Sequence, residues 1–512
     1  MKKPVVYLIL DGWGIAPAGP GNAVSLAQKP TFDYLWNNYP HTEIGAGGEA
    51  IGLWPGHQGS SEIGHLIIGA GRNVYLPQGI VAKAIQSGEI FTNKAYSQAM
   101  DFALKNHSTL HLAGLMSNSG VHSYDLLTHA LIKMAAQKGI KDIVVHSFTD
   151  GRDTEVKDAP IYLERLNKVF QQNGVGRVGT IMGRYWVMDR DHRWERVEKA
   201  YHLLVNGQAE FKANSAEEAI QMAYDRKETD EFISPTVIGQ HQIKDNDVLI
   251  WTNFRTDRAI EITQALIEDN FNYFNRGQRP HFYFTATFKY YDEMKAPFAF
   301  ERQFPTNTLG EIISRAGLKQ FRVTETEKWI YVTTIFSGMR EAPFEGEDRL
   351  LIESDKIPTY DLQPKMHTMD IAQAAVKAIN SDQYHLIVIN FNNPDIIGHT
   401  GNIPAAVIGI EECDKGLALL VEAVKTKHGL LIVSADHGNA ESMLTSDGQP
   451  ETQHSANNVP FIIVNDDPQY KNIKLKSGGA LKDVTPTILE ILGIPQPTEM
   501  TGKSLIKPPA QW

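Results

Sequence analysis

The residues best suited to chemistry follow apolar runs of the kind that form buried strands. Runs at 5–10, 386–391 and 430–433 are each followed within a few residues by aspartate or histidine, and one more histidine precedes the run at 461–464. The residues concerned are Asp11, Asp395, His399, Asp436, His437 and His454. Ligands collect at the carboxyl ends of strands in open α/β sheets, so we expect these side chains to form one site.

The spacing within this set is that of metal ligands. Asp395 and His399 are four residues apart, so one helical turn places a carboxylate and an imidazole on one face. The adjacent Asp436 and His437 point in different directions, which suits two neighbouring metals or one metal in an irregular loop. Oxygen and nitrogen donors without sulfur suit Mn²⁺, Zn²⁺, Co²⁺ or Mg²⁺. For each segment alone, an ordinary helix start or a solvated surface histidine is the alternative.

A serine pair lies where a glycine-rich loop is predicted to become a helix, at Gly59-Ser60-Ser61. Unpaired N–H groups and the helix dipole stabilise an alkoxide or a phosphoryl group at such a place. The alternative role is an N-cap, although neither serine has Glu or Gln three residues later. Two metals about 4 Å apart would lower the pKa of a serine hydroxyl and make it a nucleophile.

Arginine and aspartate are frequent in three loops that follow predicted strands in the middle of the chain, at 149–154, 183–191 and 253–258. Arginine binds carboxylate and phosphate through a two-pronged hydrogen bond, so these loops predict a small substrate with two anionic groups. For any single Arg-Asp pair, a structural salt bridge is the alternative.

The order of these features predicts the architecture. Strand-like runs alternate with helical patterns, which indicates an α/β fold throughout, with strands expected at 5–10, 110–113, 143–148, 178–182, 248–251, 282–284, 386–391, 430–433 and 461–464. Metal-type ligands lie near both ends of the chain and the arginine loops lie between them. We therefore expect a discontinuous α/β domain of residues 1–75 and 305–512, with a second α/β domain, 76–304, inserted; Pro77 and Pro305 are expected to mark loops.

Composition limits the function classes. The 512 residues carry a formal net charge of −11, which disfavours a general surface for nucleic acid or anionic membrane. The single cysteine, Cys413, excludes an internal disulfide and thiolate zinc clusters, and its helical spacing with Ile410 and Leu417 places it in a core. Asp11 interrupts the first apolar run too early for a signal peptide, so a cytoplasmic protein is expected.

The chain closely resembles one enzyme family over essentially its whole length. The segments around Asp11, Ser61, His122, Arg152, Arg184, Arg255, Lys328, Asp395, Asp436 and His454 are similar, in order and spacing, to the cofactor-independent phosphoglycerate mutases of the alkaline-phosphatase-like superfamily. The resemblance implies an alkaline-phosphatase-like metal domain with an inserted substrate-binding, or transferase, domain. It also implies interconversion of 3-phosphoglycerate and 2-phosphoglycerate through a phosphoserine, without a bisphosphoglycerate primer.

The resemblance also assigns residues to roles. Ser61 is implied as the nucleophile and Lys328 as its charge-neutralising partner, with Asp153 moving protons to or from the substrate hydroxyls. One metal is implied on Asp395, His399 and His454, a second on Asp11, Ser61, Asp436 and His437, with manganese as the usual metal. The implied substrate-binding residues are His122, Arg152, Asp153, Arg184, Arg190, Arg255, Arg258 and Lys328. A monomer without nucleic-acid or membrane partners is expected.

The sequence departs from the family pattern in a few places, at Ser60, residues 54–57, Thr256 and 335–339. No implied ligand is lost. Two other functions stay open at this point: a metal-dependent phosphatase or other phosphomutase of the same superfamily, and a catalytically silent binding protein. The arginine loops count against simple hydrolysis, because hydrolysis has no need to retain an alcohol.

Overall fold

The computed structural model describes residues 3–53 and 55–507. Trp54, one of the departures from the family pattern, lies outside the described residues. The chain divides into two compact units: the first contains the residues up to Val74 and those from Gln303 onward, and the second runs from Tyr75 to Arg302. None of the described helices is long and apolar enough to cross a membrane.

Strands occur in both units. In chain order they are β1 Val5–Leu10, β2 His41–Gly45, β3 Leu110–Leu115, β4 Ile143–Thr149, β5 Arg177–Gly183, β6 Phe211–Ala213, β7 Thr236–Ile238, β8 Val248–Trp251, β9 Tyr283–Phe288, β10 Phe298–Phe300, β11 Gln320–Glu325, β12 Glu347–Ile352, β13 Leu386–Phe391, β14 Leu430–Ser434, β15 Val459–Val464 and β16 Gly479–Ala480.

Helices alternate with these strands. They are α1 Ala23–Leu26, α2 Pro30–Asn38, α3 Ser61–Ala70, α4 Pro77–Ser87, α5 Lys94–Asn106, α6 Asp125–Lys138, α7 Ala159–Asn173, α8 Arg184–Val187, α9 Trp194–Asn206, α10 Ala216–Asp225, α11 Ile260–Ile267, α12 Leu309–Arg315, α13 Thr368–Asn380, α14 Asn393–Gly398, α15 Ile403–Thr426, α16 Pro468–Lys471 and α17 Val484–Leu492. A short 3₁₀ turn, Thr326–Lys328, follows β11 directly.

The sheet of the first unit has the order β12-β11-β13-β1-β14-β15-β2-β16. At its centre β1 pairs in parallel with β13 on one side and β14 on the other, with Val5 opposite both Leu386 and Leu430. All three strands are buried along their whole length and rich in Val, Ile and Leu, as strands covered on both faces are. Their carboxyl ends therefore meet at one edge, where Asp11 and Asp436 emerge.

The sheet of the second unit has the order β10-β9-β8-β3-β4-β5-β7-β6. Its strands pair in parallel except for β5 with β7. The arginine loops at 149–154, 183–191 and 253–258 follow β4, β5 and β8, so they leave the same edge of this sheet.

The predicted α/β class with two sheets is confirmed, and every strand expected from the sequence is present. The sequence analysis missed the other seven strands, β2, β6, β7, β10, β11, β12 and β16. Among them, β11 and β12 carry charged residues that do not resemble a buried strand. The structure explains β11: Arg322 is fully buried, and its Nη2 lies 3.1 Å from Glu347 Oε2. Pro77 was expected in a loop, but it begins α4, because a proline at the first helical position lacks only an N–H that has no helical partner. Cys413 is buried within α15, as predicted.

Gly64 allows α3 to pack closely against the backbone that follows β14. A Cβ at this position would lie 2.5 Å from the carbonyl oxygen of Asp436. Gly64→Ala should therefore lower the free energy of unfolding by about 1–3 kcal/mol, the usual cost of overpacking, as measured by urea denaturation. Gly19→Ala is the matched control, because a Cβ there meets nothing within 4 Å. Equal stability of the two variants would contradict this packing.

Candidate active site

Ser61 is the first residue of α3, and the preceding Ser60 is the N-cap. Ser60 Oγ accepts a hydrogen bond from the N–H of Ile63 at 3.4 Å. The sequence left open whether a serine here caps the helix or acts as a nucleophile. The capping role belongs to Ser60. The Ser61 hydroxyl is buried and donates to Asp11 Oδ1 at 3.1 Å, and His437 Nε2 lies 3.0 Å away.

Lys328 ends the 3₁₀ turn after β11 and is buried. Its ammonium donates to Ser61 Oγ at 2.6 Å, to Asp11 Oδ1 at 2.7 Å and to Asp395 Oδ2 at 2.5 Å. One cation thus links the serine to carboxylates from two strand ends. Although burial lowers the pKa of a lysine, the charges of Asp11 and Asp395 hold that of Lys328 above its ordinary value.

The carboxylates show the opposite shift. Burial alone would raise the pKa of Asp11 and of Asp395, but the Lys328 ammonium and His437 hold both below the ordinary range. Both side chains are therefore ionised near neutral pH. With Asp436, three buried carboxylates lie at this edge of the sheet, and their charge exceeds that of the Lys328 ammonium.

Three histidines are arranged alike around Asp395. Each donates its Nδ1–H to a backbone carbonyl: His399 to that of Thr452 at 2.7 Å, His454 to that of Gly59 at 2.9 Å and His437 to that of Gly438 at 3.2 Å. The remaining nitrogens, Nε2 of His399, His454 and His437, lie 3.3, 3.2 and 3.8 Å from Asp395 Oδ1. A carbonyl bonded to one ring nitrogen fixes the tautomer and leaves the lone pair of the other for a metal.

This donor set fits a divalent cation. Asp436 Oδ2 is buried and, within the described residues, has no hydrogen-bond partner. Although burial lowers the pKa of His437, the charges of Asp436 and Asp395 raise it to about 10. Without a metal this ring therefore binds a second proton, on Nε2, and a metal held by the same carboxylates would replace that proton. Asp395, His437 and His454 form one group able to hold an ion, and Asp11 and Asp436 belong to a second.

The second group includes His65, which the sequence analysis did not consider. Its Nδ1–H donates to the carbonyl of Ser61 at 2.9 Å, and its Nε2 accepts from Asn390 Nδ2, which also donates to Asp11 Oδ2 at 2.7 Å. Both ring nitrogens are thus engaged, so His65 orients Asp11 and the start of α3. Its position four residues after Ser61, one helical turn away, was the available signal.

All predicted metal ligands of the first unit, with Lys328, are thus brought together. The predicted arginines lie in the second unit, where Arg152, Arg184, Arg190 and Arg258 line a cavity of about 280 Å³. Arg184 is buried, and its Nη1 donates to Asp150 Oδ1 at 2.7 Å and to Asp153 Oδ2 at 2.5 Å. Burial, together with the charges of Arg190, Arg184 and Arg152, lowers the pKa of Arg258, which indicates excess positive charge here.

Arg255 and His122 are predicted residues that do not line this cavity, but they contact its neighbours. Asp257 accepts hydrogen bonds from Arg190 at 3.0 Å and from Arg255 at 2.9 Å, so it joins the two arginines. His122 Nε2 lies 3.8 Å from Asp153 Oδ2. The sequence analysis missed the partner roles of Asp150 and Asp257, although both lie within the arginine loops that it singled out.

The fold and the residues around Ser61 define an α/β enzyme class in which a buried serine lies within a candidate metal centre. Residues 81–293 match the family model described as the BPG-independent PGAM N-terminus. The chain is 45% identical over 513 residues to the 2,3-bisphosphoglycerate-independent phosphoglycerate mutase of Cellvibrio japonicus, covering 99% of each chain. It is 44% identical to the Moorella thermoacetica enzyme of the same name, again over 99% of each.

A solved structure agrees with these relatives. The phosphoglycerate mutase of Leishmania mexicana, determined at low cobalt concentration, superposes with a TM-score of 0.68 at 32% identity, covering 99% of this chain and 98% of that one. The chain therefore belongs to the 2,3-bisphosphoglycerate-independent phosphoglycerate mutase family. The family resemblance seen in the sequence is confirmed.

His122 makes the acid stability of the second unit testable. Burial and the charges of Arg184 and Arg255 lower its pKa to about 3, whereas an unfolded histidine titrates near about 6.5. Between those values the unfolded state binds one more proton, so this residue makes stability decrease by about 1.4 kcal/mol for each unit that the pH is lowered. His122→Gln should make the pH dependence of unfolding free energy shallower by that amount between about pH 6 and 4. The exposed His281→Gln should leave the slope unchanged; a His122→Gln slope equal to that of the wild type would refute the assignment.

Proposed function

We propose that the chain interconverts 3-phosphoglycerate and 2-phosphoglycerate, a glycolytic step, through a phosphoserine on Ser61 assisted by two divalent metals. The observation that carries the proposal is the position of Ser61 Oγ, within 3.1 Å of Asp11, His437 and Lys328. A small phosphoglycerate is the substrate. A monomer in the cytoplasm is the expectation that goes with this role.

The residues around Ser61 prepare the hydroxyl for attack on phosphorus. The Lys328 ammonium donates to Oγ, which favours the alkoxide over the hydroxyl and then neutralises charge on the transferring phosphoryl group. Asp11 accepts the Ser61 hydroxyl proton in a hydrogen bond, and its lowered pKa keeps it an acceptor. The N-terminus of α3 adds a positive dipole at the same place.

We assign one metal to Asp395, His399 and His454 and the other to Asp11, Ser61, Asp436 and His437. Bound there, divalent cations would supply Lewis-acid stabilisation of a serine alkoxide and of phosphoryl oxygens. The carboxylates and neutral imidazoles accept several metals, and Mn²⁺ is the assignment we favour. Backbone carbonyls of Gly59, Gly438 and Thr452 orient the imidazoles toward Asp395.

The arginine cavity of the second unit suits a small substrate with two anionic groups. Arg152, Arg184, Arg190 and Arg258 offer fork-shaped donors to the carboxylate and phosphate of a phosphoglycerate. Arg255 and His122 are proposed to orient these arginines and Asp153. Arg255 acts through its hydrogen bond to Asp257, and His122 lies beside Asp153. Asp153, held by Arg184, is the group proposed to exchange protons with the substrate hydroxyls.

These assignments give each unit a role: the first activates Ser61, and the second holds glycerate. A metal-dependent phosphatase is the alternative function. It is disfavoured because hydrolysis releases its alcohol, whereas transfer to a second hydroxyl requires that glycerate stay bound while the phosphoryl group is on the serine. The arginine cavity provides that retention.

The direct test incubates the purified chain with 3-phosphoglycerate in the absence of bisphosphoglycerate. Chelation should abolish formation of 2-phosphoglycerate, and adding back Mn²⁺ should restore it. The measurement follows both 2-phosphoglycerate and inorganic phosphate. Inorganic phosphate as the main product would favour the phosphatase, and no turnover with any divalent metal would favour a binding protein.

Ser61→Ala removes the proposed nucleophile while leaving the cap of α3 in place. We expect at least a 10³-fold loss of kcat, of the size seen when a covalent nucleophile is removed. Ser60→Ala is the matched control, because it removes only a 3.4 Å capping bond and should cost about 1 kcal/mol of stability with activity retained. A fully active Ser61→Ala enzyme would exclude the phosphoserine route.

Arg258→Lys keeps a positive charge in the cavity but removes the planar fork. We expect kcat/KM for isomerisation to fall about 10-fold to 100-fold, from the loss of one charged hydrogen bond. Phosphate release per isomerisation should rise, because glycerate escapes more often. Arg279→Lys, outside the cavity and paired with Asp269, is the control and should leave the ratio of the two products unchanged. An unchanged ratio in Arg258→Lys would remove this arginine from substrate retention.

A further inference from the structure

Three histidines of the second unit form a cluster that the proposed reaction does not use. His111 lies on β3, His146 on β4 and His241 in the segment after β7. The rings are in mutual contact, with centroids 5.3 Å apart for His111 and His146, 5.2 Å for His111 and His241, and 4.6 Å for His146 and His241. One nitrogen from each ring lies within 4.8 Å of the others.

Hydrogen bonds outside the cluster determine which nitrogens face it. Asp247 Oδ2 lies 3.3 Å from His111 Nε2, and the carbonyl of Leu204 accepts from His241 Nε2 at 2.8 Å. Those two rings therefore carry their protons on Nε2 and keep their lone pairs on Nδ1. The Thr180 hydroxyl oxygen, 2.9 Å from His146 Nδ1, can accept a hydrogen bond from an Nδ1–H, in the tautomer that has its lone pair on Nε2.

The spacing of these lone pairs suits a cation. His111 Nδ1 and His146 Nε2 are 3.2 Å apart and share a hydrogen bond, so a cation bound between them would replace the shared proton. Two imidazole nitrogens on one tetrahedral Zn²⁺ lie about 3.3–3.4 Å apart, given Zn–N bonds of about 2.0–2.1 Å. The first pair is thus already at ligand distance, and a small movement of His241 completes the set.

Charge and solvent access agree with this geometry. The Asp247 carboxylate behind His111 has the arrangement that strengthens histidine ligands in metal sites. His111 and His241 also line a cavity of about 450 Å³, through which an ion and a fourth ligand can enter.

We propose that His111, His146 and His241 bind a divalent transition metal, separate from the cluster around Ser61. Three imidazoles without carboxylate ligands favour Zn²⁺, Ni²⁺ or Cu²⁺ over Mn²⁺ and Mg²⁺. The fourth position faces the cavity, where Lys212 and Lys244 favour hydroxide or another small anion as the remaining ligand.

The test measures zinc on the full chain by equilibrium dialysis and elemental analysis. His241→Gln and His146→Gln should each bind one Zn²⁺ fewer per chain than the wild type, while mutase activity with Mn²⁺ is kept. His281→Gln, an exposed histidine of the same unit, should bind as much zinc as the wild type. Asp247→Asn keeps all three ligands and should weaken this zinc by about 10-fold to 100-fold.

The wild type alone provides a second measurement that does not depend on variant folding. Zn²⁺ is titrated into the chain saturated with Mn²⁺ while released Mn²⁺ is followed by electron paramagnetic resonance. One equivalent of Zn²⁺ that binds without releasing Mn²⁺ supports the site. Displacement of one Mn²⁺ by every Zn²⁺ bound, or zinc content unaffected by His241→Gln and His146→Gln, would overturn the proposal.

Discussion

Three carboxylates are buried around a single ammonium at the edge of a parallel sheet, and the organisation of the first unit depends on this charge arrangement. Burial raises the pKa of Asp11 and of Asp395, and the charge of the Lys328 ammonium is the largest influence that lowers it. The ammonium compensates only part of their charge. The remaining negative charge and the lone pairs of the surrounding imidazoles are what a divalent cation requires.

The backbone is shaped to allow this crowding. Gly12 has a φ of +75°, and a Cβ on it would lie 2.7 Å from the Cβ of Asp395. A residue with a side chain could not bring Asp11 and Asp395 so close, and its backbone would be strained in this left-handed conformation. Asn390 and His65 then hold Asp11 in place through hydrogen bonds. In the cavity of the second unit positive charge is in excess, because the arginines that line it outnumber the aspartates.

Much of the site could be predicted from the sequence because strand ends carry it. Apolar runs before Asp11 and Asp436 identified β1 and β14, and the four-residue spacing of Asp395 and His399 indicated a shared face. The roles of Ser60 and Ser61 could not be separated locally, because both stand at the start of the same helix. Their difference depends on Lys328, 267 residues away in the chain from Ser61.

Other features could not be predicted because their signals are non-local. Buried charges obscured β11, where Arg322 is compensated by Glu347 on a neighbouring strand. His111, His146 and His241 belong to separate elements of the second unit, and each is unremarkable in its own segment. Only the pairing of β3 with β4 brings the first two rings together.

The most direct test of the account is to locate the phosphoryl group during turnover. The chain is mixed with 3-phosphoglycerate and Mn²⁺, quenched in acid within one turnover, digested and sequenced by tandem mass spectrometry. The account predicts a phosphoryl group on Ser61, whose hydroxyl contacts Lys328 and Asp11. A phosphoryl group on Ser60, or turnover to 2-phosphoglycerate with no phosphorylated serine at any quench time, would contradict it.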